Sequence, residues 1–258
     1  MGMERRLLYR SGFWEIARPR HPLTAGHVLI RLSDPSTDFA HASAADWLFC
    51  HYLVRAALHD VLGVTRSAVM FAHQWHPLGT AIGEPVAESS TPTFHLFGRW
   101  DGESTTPGSQ LSLPAHRRVG EPEHELDATD DALREALRRG LPEAQAGSGS
   151  WPGADVGPVA DAGRLVRTVD AGHRHTVIEP VREVASISDI LPTELLAMGA
   201  ALAALPLSGG LSGFSCLALE PGGSGIPLRV HALGRSAAEE VNPLEELMRS
   251  PEVSLALL

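Results

Sequence analysis

The apolar positions of this chain fall into two similar series, each made of a strand-like run, a helical stripe and a further strand-like run. The runs at residues 26–32 and 174–180 are rich in β-branched and aliphatic side chains, as is typical of strands. Each has a histidine near its start, His27 in the first and His175 in the second. Because the second series repeats the order of the first, the chain predicts two related halves.

An amphipathic helix follows each of these runs. In the first half, Ser43 is the predicted N-cap with Asp46 three residues later, and one apolar stripe recurs at helical spacing through Trp47, Cys50, Val54, Leu58 and Val61. In the second half, Pro192 stands in the first turn of a helix with a similar apolar stripe. Residues 67–72 and 214–219 then predict one more strand in each half.

Two similar pentads close the halves: His95-Leu96-Phe97-Gly98-Arg99 and His231-Ala232-Leu233-Gly234-Arg235. Together with the earlier runs they predict an internal duplication. We expect an N-terminal half at residues 1–100 and a C-terminal half at 163–258, joined by a polar linker at 101–162. The linker is expected to contain one short, exposed helix from Asp130 to Arg139.

Composition narrows the classes of function. The chain has 258 residues, 43% of them hydrophobic, and a net charge of −10, so a surface for nucleic acid is not expected. It contains no lysine, which excludes a Walker A phosphate loop and Schiff-base catalysis. A phosphate group would have to be neutralised by arginine, histidine, backbone N–H groups or a metal.

Two further features bear on location. Cys50 and Cys216 each lie in an apolar stretch without a CxxC partner, which predicts buried thiols. No apolar run is long enough to span a membrane, and the N-terminus lacks the apolar core of a secretory signal. We therefore expect no membrane partner and a cytoplasmic location.

One motif suggests a family. The segment at residues 16–30 contains Pro22-Leu23-Thr24-Ala25-Gly26-His27 and resembles the opening hairpin of histidine-triad (HIT) proteins. Residues 175–196 resemble the strand, turn and helix of the same family. The tandem arrangement is similar to that of galactose-1-phosphate uridylyltransferases and diadenosine-polyphosphate phosphorylases. The resemblance implies an α+β fold with two HIT-like halves, each an antiparallel sheet with a packed helix.

The catalytic strand of that family carries three histidines at alternate positions, and the middle one attacks an α-phosphate. When Gly98-Arg99 is aligned with the end of that motif, the three positions hold Thr91, Thr93 and His95, so threonine replaces the nucleophile. A second register places His95 in the middle position, but it requires a two-residue contraction before Arg99.

The resemblance implies a set of site residues. His95, His27 and Thr93 are the candidate catalytic residues, and the candidate substrate-binding residues are Arg99, Trp75 and Thr91. Two alternatives stay open. His27 and His175 fit a pocket role or a strand-end hydrogen bond to a carbonyl, and the two pentad arginines fit a phosphate or a carboxylate of their own half.

A metal site is a second possibility. His73 and His76 are three residues apart, and His95 on a neighbouring strand could complete a site for a divalent metal, zinc or iron. The alternative is that these histidines are ordinary polar loop residues.

These features predict a HIT-like enzyme of specialised metabolism that acts on a small polar or phosphorylated substrate, such as a nucleotide or sugar phosphate. Without the usual nucleophile, its chemistry would be acid–base or metal-assisted. Two alternatives are nucleotidyl transfer through a histidine-linked intermediate and a non-catalytic HIT-fold binding protein. A homodimer is an expected assembly.

Overall fold

The strand-like runs of the sequence form one antiparallel sheet. The computed structural model describes residues 6–74, 92–111, 113, 115–120, 122–148, 162–172, 174–220 and 227–236. Within these ranges the sheet has nine strands in the order β1-β2-β3-β5-β4-β8-β9-β7-β6. The strands are β1 (Arg6–Arg10), β2 (Trp14–Arg18), β3 (His27–Leu32), β4 (Arg66–His73), β5 (Thr93–Arg99), β6 (Val166–Gly172), β7 (His175–Pro180), β8 (Leu211–Glu220) and β9 (Val230–Ser236).

Apart from β1, an additional edge strand in the first half, the strand order is the same in the two halves. Strands β2-β3-β5-β4 of the first half correspond to β6-β7-β9-β8 of the second. The innermost strands β4 and β8 pair with each other at the centre of the sheet, where Met70 lies opposite Leu217. These two residues also lie opposite His95 and His231, so one row across the sheet contains all four.

Five α-helices accompany the described strands: α1 (His41–Leu62), α2 (Pro107–Leu111), α3 (Glu123–Ser148), α4 (Ala162–Leu165) and α5 (Pro192–Ala203). Helices α1 and α5 pack on one face of the sheet, which we call the helix face, and the main buried cluster fills the space between them and the strands. The opposite face, here called the open face, carries a smaller apolar cluster that includes Met70, Phe97 and Leu217. The fold is therefore α+β with a large antiparallel sheet and few helices.

The ends of the two predicted helices differ in detail. Helix α1 begins one turn earlier than its sequence signal suggests, because Ala40 is the N-cap residue and Ser43 lies within the first turn. The Ser43 hydroxyl accepts the Ala40 N–H at 2.9 Å. Helix α5 begins at Pro192, as predicted, and the Glu194 carboxylate accepts the Leu191 N–H at 2.8 Å.

The described part of the segment between the halves contains more helix than the sequence predicts. Helix α3 is longer than the predicted helix at 130–139, and it packs against α1. Its stripe of Leu133, Ala136, Leu137 and Ala144 is buried, so the expectation of an exposed helix is wrong. Asp130, on the same helix, makes a fully buried ion pair with Arg18 of β2, with 2.8 Å between Oδ1 and Nε.

Both cysteines are free and buried, as predicted. Burial raises the pKa of the Cys50 thiol to about 12, and it raises that of Cys216 as well. Among the described helices, none is both long and apolar enough to cross a membrane.

Candidate functional site

The candidate histidines of the first half lie side by side on the open face of the sheet. His27 is on β3, opposite Phe97, and His95 is on β5, opposite Leu29 and Met70. Directly paired residues of an antiparallel sheet project to the same face, and alternate residues along a strand share it. Pairing of β3 with β5 therefore brings the two imidazoles together, although the sequence separates them widely.

The two imidazoles are joined by a hydrogen bond whose direction can be worked out. His27 Nε2 and His95 Nδ1 are 3.2 Å apart. The Leu23 N–H, which can only donate, points at His27 Nδ1 at 3.1 Å. His27 Nδ1 is therefore the acceptor, its proton lies on Nε2, and His27 donates to His95 Nδ1. A neutral His95 in this arrangement carries its own proton on Nε2.

Burial keeps His27 uncharged. Its side chain is inaccessible to solvent, and desolvation lowers its pKa well below the ordinary value, with smaller contributions from His95 and Arg18. His95 is 2% exposed. The pair is thus a buried, hydrogen-bonded unit, and the strand-end alternative for His27 does not describe it.

The second half contains the same arrangement. His175 Nε2 and His231 Nδ1 are 3.0 Å apart. His175 lies opposite Leu233, two positions beyond His231, just as His27 lies opposite Phe97, two positions beyond His95. His175 is half-buried, so this pair is closer to solvent than the first.

Glycine allows the close approach of the strands beside the first pair. The Gly98 N–H donates to the Gly26 carbonyl at 2.9 Å, and a Cβ atom on Gly26 would overlap the Gly98 carbonyl. A Cβ on Gly98 would come within 2.7 Å of Val64. The glycine that precedes His27 in the sequence motif is thus required by packing. In the second half, the Gly234 N–H donates to the Arg174 carbonyl at 2.8 Å.

The other predicted residues of β5 are placed differently. Thr93 shares the face of His95 and lies opposite Arg31. Arg99 also projects to that face, about 13 Å along the strand from His95, and it pairs with the buried carboxylate of Glu103. The carboxylate that Arg99 binds lies four residues further along the chain, at the start of the linker. Burial raises the pKa of Glu103, against the opposing effect of Arg99.

Of the predicted metal ligands, the two in the described part of the chain, His73 and His95, lie on opposite faces of the sheet. His73 is three positions from Met70 on β4, so its side chain lies on the helix face, whereas that of His95 lies on the open face. His76, Trp75 and Thr91 lie outside the described residues. In the described part of the chain, no group of three or more His, Cys, Asp or Glu side chains is arranged to hold a metal ion. A metal held jointly by His73 and His95 does not fit this geometry.

Two clusters of ionic contacts, which the sequence motifs do not predict, lie on the strands next to the histidines. In the first half, Glu15 binds Arg10 and Arg31, and in the second half, Glu179 binds Arg167 and Arg229. The two central pairs occupy matching positions with their charges exchanged, since Glu15 lies opposite Arg31 and Arg167 lies opposite Glu179. Single charged residues within mainly apolar strands, such as Arg31 and Glu179, were a signal for these contacts, but the strand register was needed to join them.

Comparison with known proteins gives only distant similarity. No protein-family model matches the chain, and no curated protein matches it.

Among solved structures, a GalT-like protein from Arabidopsis thaliana matches this chain with 10% identity and a TM-score of 0.45. The match covers 91% of this chain and 80% of the GalT-like chain. An ADP-glucose phosphorylase from Arabidopsis thaliana with bound ADP-glucose matches 89% of this chain and 74% of its own, with 9% identity and a TM-score of 0.43. A histidine-triad nucleotide-binding protein from Sulfolobus tokodaii matches 54% of this chain and 87% of its own, with 14% identity and a TM-score of 0.38.

Proposed function

We propose that the chain binds a small phosphorylated molecule, a nucleotide or a sugar phosphate, on the open face of the sheet next to His95. In this proposal His95 acts as a hydrogen-bond donor to an anionic oxygen of the ligand rather than as a nucleophile. The single observation that carries the assignment of roles is the chain of hydrogen bonds from the Leu23 N–H through His27 to His95.

The hydrogen-bond chain bears directly on nucleophilic chemistry. Attack on phosphorus needs a lone pair on the imidazole nitrogen that faces the substrate. Here His27 donates to His95 Nδ1, which leaves the proton of a neutral His95 on Nε2, so that nitrogen has no lone pair to offer. A neutral imidazole N–H remains a good donor to a charged oxygen and can stabilise negative charge that develops there.

The absence of histidine at positions 91 and 93 supports the same role. The sequence register places Thr93 where the related proteins have their nucleophile, and Thr93 shares the open face with His95. Acid–base or electrostatic chemistry at His95, without a covalent histidine intermediate, is consistent with both observations. His27 would then hold the tautomer of His95.

An internal duplication would explain the second histidine pair. Both pairs sit on equivalent strands in the same register and are joined by the same two nitrogens. We infer that the halves derive from one ancestral unit and that the His175–His231 pair is the counterpart of the first pair.

A non-catalytic binding protein is the second candidate. The observation that favours it is the burial of the first pair, since His27 is inaccessible and His95 is 2% exposed. Leu23, Leu111 and Phe97 belong to the apolar cluster on this face. If this candidate is correct, the unaltered protein will not turn over any phosphorylated substrate, and changes at His95 will alter its stability alone.

Two substitutions at His95 test the proposal. Glutamine keeps an N–H donor near the position of Nε2 but cannot act as a nucleophile, whereas leucine removes the donor. We expect His95→Gln to bind AMP, UMP or glucose 1-phosphate within about threefold of the unaltered protein. We expect His95→Leu to bind at least about tenfold more weakly, as the loss of one hydrogen bond to a charged group predicts. Isothermal titration calorimetry measures both values.

Two outcomes would overturn the proposal. One is the absence of binding of all three phosphorylated probes by the unaltered protein. The other is an acid-labile adduct on His95 after incubation with a labelled nucleotide, together with equal losses in both variants. His231→Leu is the matched control, because it makes the same change in the second half.

A further inference from the structure

A large cavity lies on the helix face of the sheet, on the opposite side from the histidine pairs. Its volume is about 720 Å³, and it is bounded by α1, α5 and the strands beneath them. Both halves contribute to its walls: Trp47 and Phe94 come from the first, and Ile178 and Met198 come from the second. We propose that this cavity is a binding site for an uncharged, mainly hydrocarbon molecule with one hydroxyl or carbonyl group.

The lining determines the charge of the ligand. Among the described residues that line the cavity there is no Asp, Glu or Arg, and aromatic and aliphatic side chains predominate. A carboxylate or phosphate enclosed by such a lining would lose its hydration without gaining a counter-charge, and that loss is large. An uncharged molecule loses little and gains contact with the apolar walls.

Two buried polar atoms in the lining argue for one polar group on the ligand. Trp47 Nε1 and His73 Nε2 are both buried, and neither has a hydrogen-bond partner within the described part of the chain. Trp47 is 3% exposed, and both residues line the cavity. Burial lowers the pKa of His73, so its imidazole is neutral near pH 7. Because buried polar groups are normally paired, a hydroxyl or carbonyl oxygen that accepts the indole N–H would satisfy this lining.

The size of the cavity limits the ligand. A water molecule occupies about 30 Å³ in the liquid, and a non-hydrogen atom of an organic ligand needs a similar volume. The cavity therefore holds roughly 20 non-hydrogen atoms. That is the size of a long-chain alcohol or a molecule of three or four fused rings. The site is independent of the proposed phosphate site, because the sheet separates them.

Binding of an uncharged fluorophore tests the inference. Nile red is nearly non-fluorescent in water and has a carbonyl group and a size that suit the cavity. We expect the full-length protein to bind it at one site and dodecanol to displace it. Dodecanoate at pH 8 should require at least about tenfold higher concentration, because its carboxylate has no counter-charge among the described residues of the lining.

A cavity-filling substitution locates the site. Gly199 lies on α5 in the cavity wall, and a Cβ atom there would make ordinary contact with Phe39 at 3.6 Å. We expect Gly199→Leu to lose Nile red binding at least about tenfold while its melting temperature is unchanged or higher, since it replaces a helical glycine. Gly163→Leu is the matched control, because Gly163 is helical, exposed and away from the cavity.

Three results would overturn the inference. They are the absence of Nile red binding, equal displacement by dodecanol and dodecanoate, and unchanged binding in Gly199→Leu. If Gly199→Leu does not give a folded circular dichroism spectrum, Ala203→Phe on the same helix and in the same wall replaces it, with the same expected loss.

Discussion

Single residues determine how closely the strands of this protein approach. Gly26 and Gly98 face each other across β3 and β5, where their backbones form a direct hydrogen bond. The neighbouring His27 is held by the Leu23 N–H, and through it the orientation of His95 is held as well. In the Gly-His dipeptide of the sequence motif, the glycine therefore allows the strands to pack closely, and the histidine orients His95.

The glycine requirement predicts a large effect of a small change. Gly26→Ala places a methyl group against the Gly98 carbonyl, and neither backbone can move without disturbing the strand pairing. We expect a loss of about 2–3 kcal/mol in the free energy of unfolding, typical of overpacking. Urea denaturation measures this value. Gly120→Ala is the control, because Gly120 is exposed and a Cβ there meets no atom within 4 Å; an equal loss in both variants would contradict the argument.

At the scale of secondary-structure elements, α3 is the largest difference from expectation. Its polar composition indicated an exposed helix, yet its apolar stripe is buried and it packs against α1. The buried Arg18–Asp130 ion pair links it to β2. Arg18 also donates to the carbonyls of Ala25 and His27, at 2.6 and 2.7 Å, so α3 supports the strand end that carries the first histidine pair.

Loss of the Arg18–Asp130 ion pair should lower the free energy of unfolding of the protein. Asp130→Asn leaves the guanidinium of Arg18 buried without its counter-charge, for which the expected cost is about 3 kcal/mol. Asp131→Asn is the matched control: its side chain is 79% exposed and pairs with Arg134 at the surface, so a change within about 0.5 kcal/mol is expected. Guanidinium denaturation measures the free energy of unfolding of both variants. Equal losses in the two variants would refute a structural role for the Arg18–Asp130 pair.

For the molecule as a whole, one buried carboxylate connects the halves. Glu220 ends β8 of the second half, and its oxygens contact His51 at 3.3 Å and Arg55 at 3.5 Å on α1 of the first half. It also accepts the hydroxyls of Ser67 and Ser186 and the Ile187 N–H. Burial alone would raise the pKa of Glu220, but His51, Arg55 and the Ser67 hydroxyl lower it below the ordinary value of 4.5.

The lowered pKa of Glu220 gives stability a defined pH dependence. A carboxyl group with a lower pKa in the folded state contributes stability above its unfolded pKa of about 4.5 and loses it as the pH falls below that value. We expect Glu220→Gln to lower the free energy of unfolding by about 3 kcal/mol at pH 7, since it leaves buried donors without their charged acceptor. The variant should also lose less stability than the unaltered protein between pH 5 and pH 3, and urea titrations at each pH measure both effects. Asp101→Asn, at a carboxylate that is 93% exposed, should reproduce neither effect.

Much of the fold could be predicted from the sequence. The strands that begin with His27 and His175, the helix that begins at Pro192 and the burial of both cysteines all follow from short-range patterns, and the structure contains them. The site was less predictable. The sequence predicts site roles for His27 and His95, and the structure joins them by a hydrogen bond. It also predicts a shared metal site for His73 and His95, but His73 lies on the opposite face of the sheet.

By itself, the sequence determined the elements of this protein and the positions of its special residues. Periodicity, caps and glycines depend on neighbours along the chain, so they can be recognised without knowledge of the fold. Only the tertiary structure decided which residues face each other: the partner of each histidine, the burial of α3, and the cavity between α1 and α5. These depend on strand register and on packing between distant segments, and a shift of one residue in register would move every side chain of a strand to the other face.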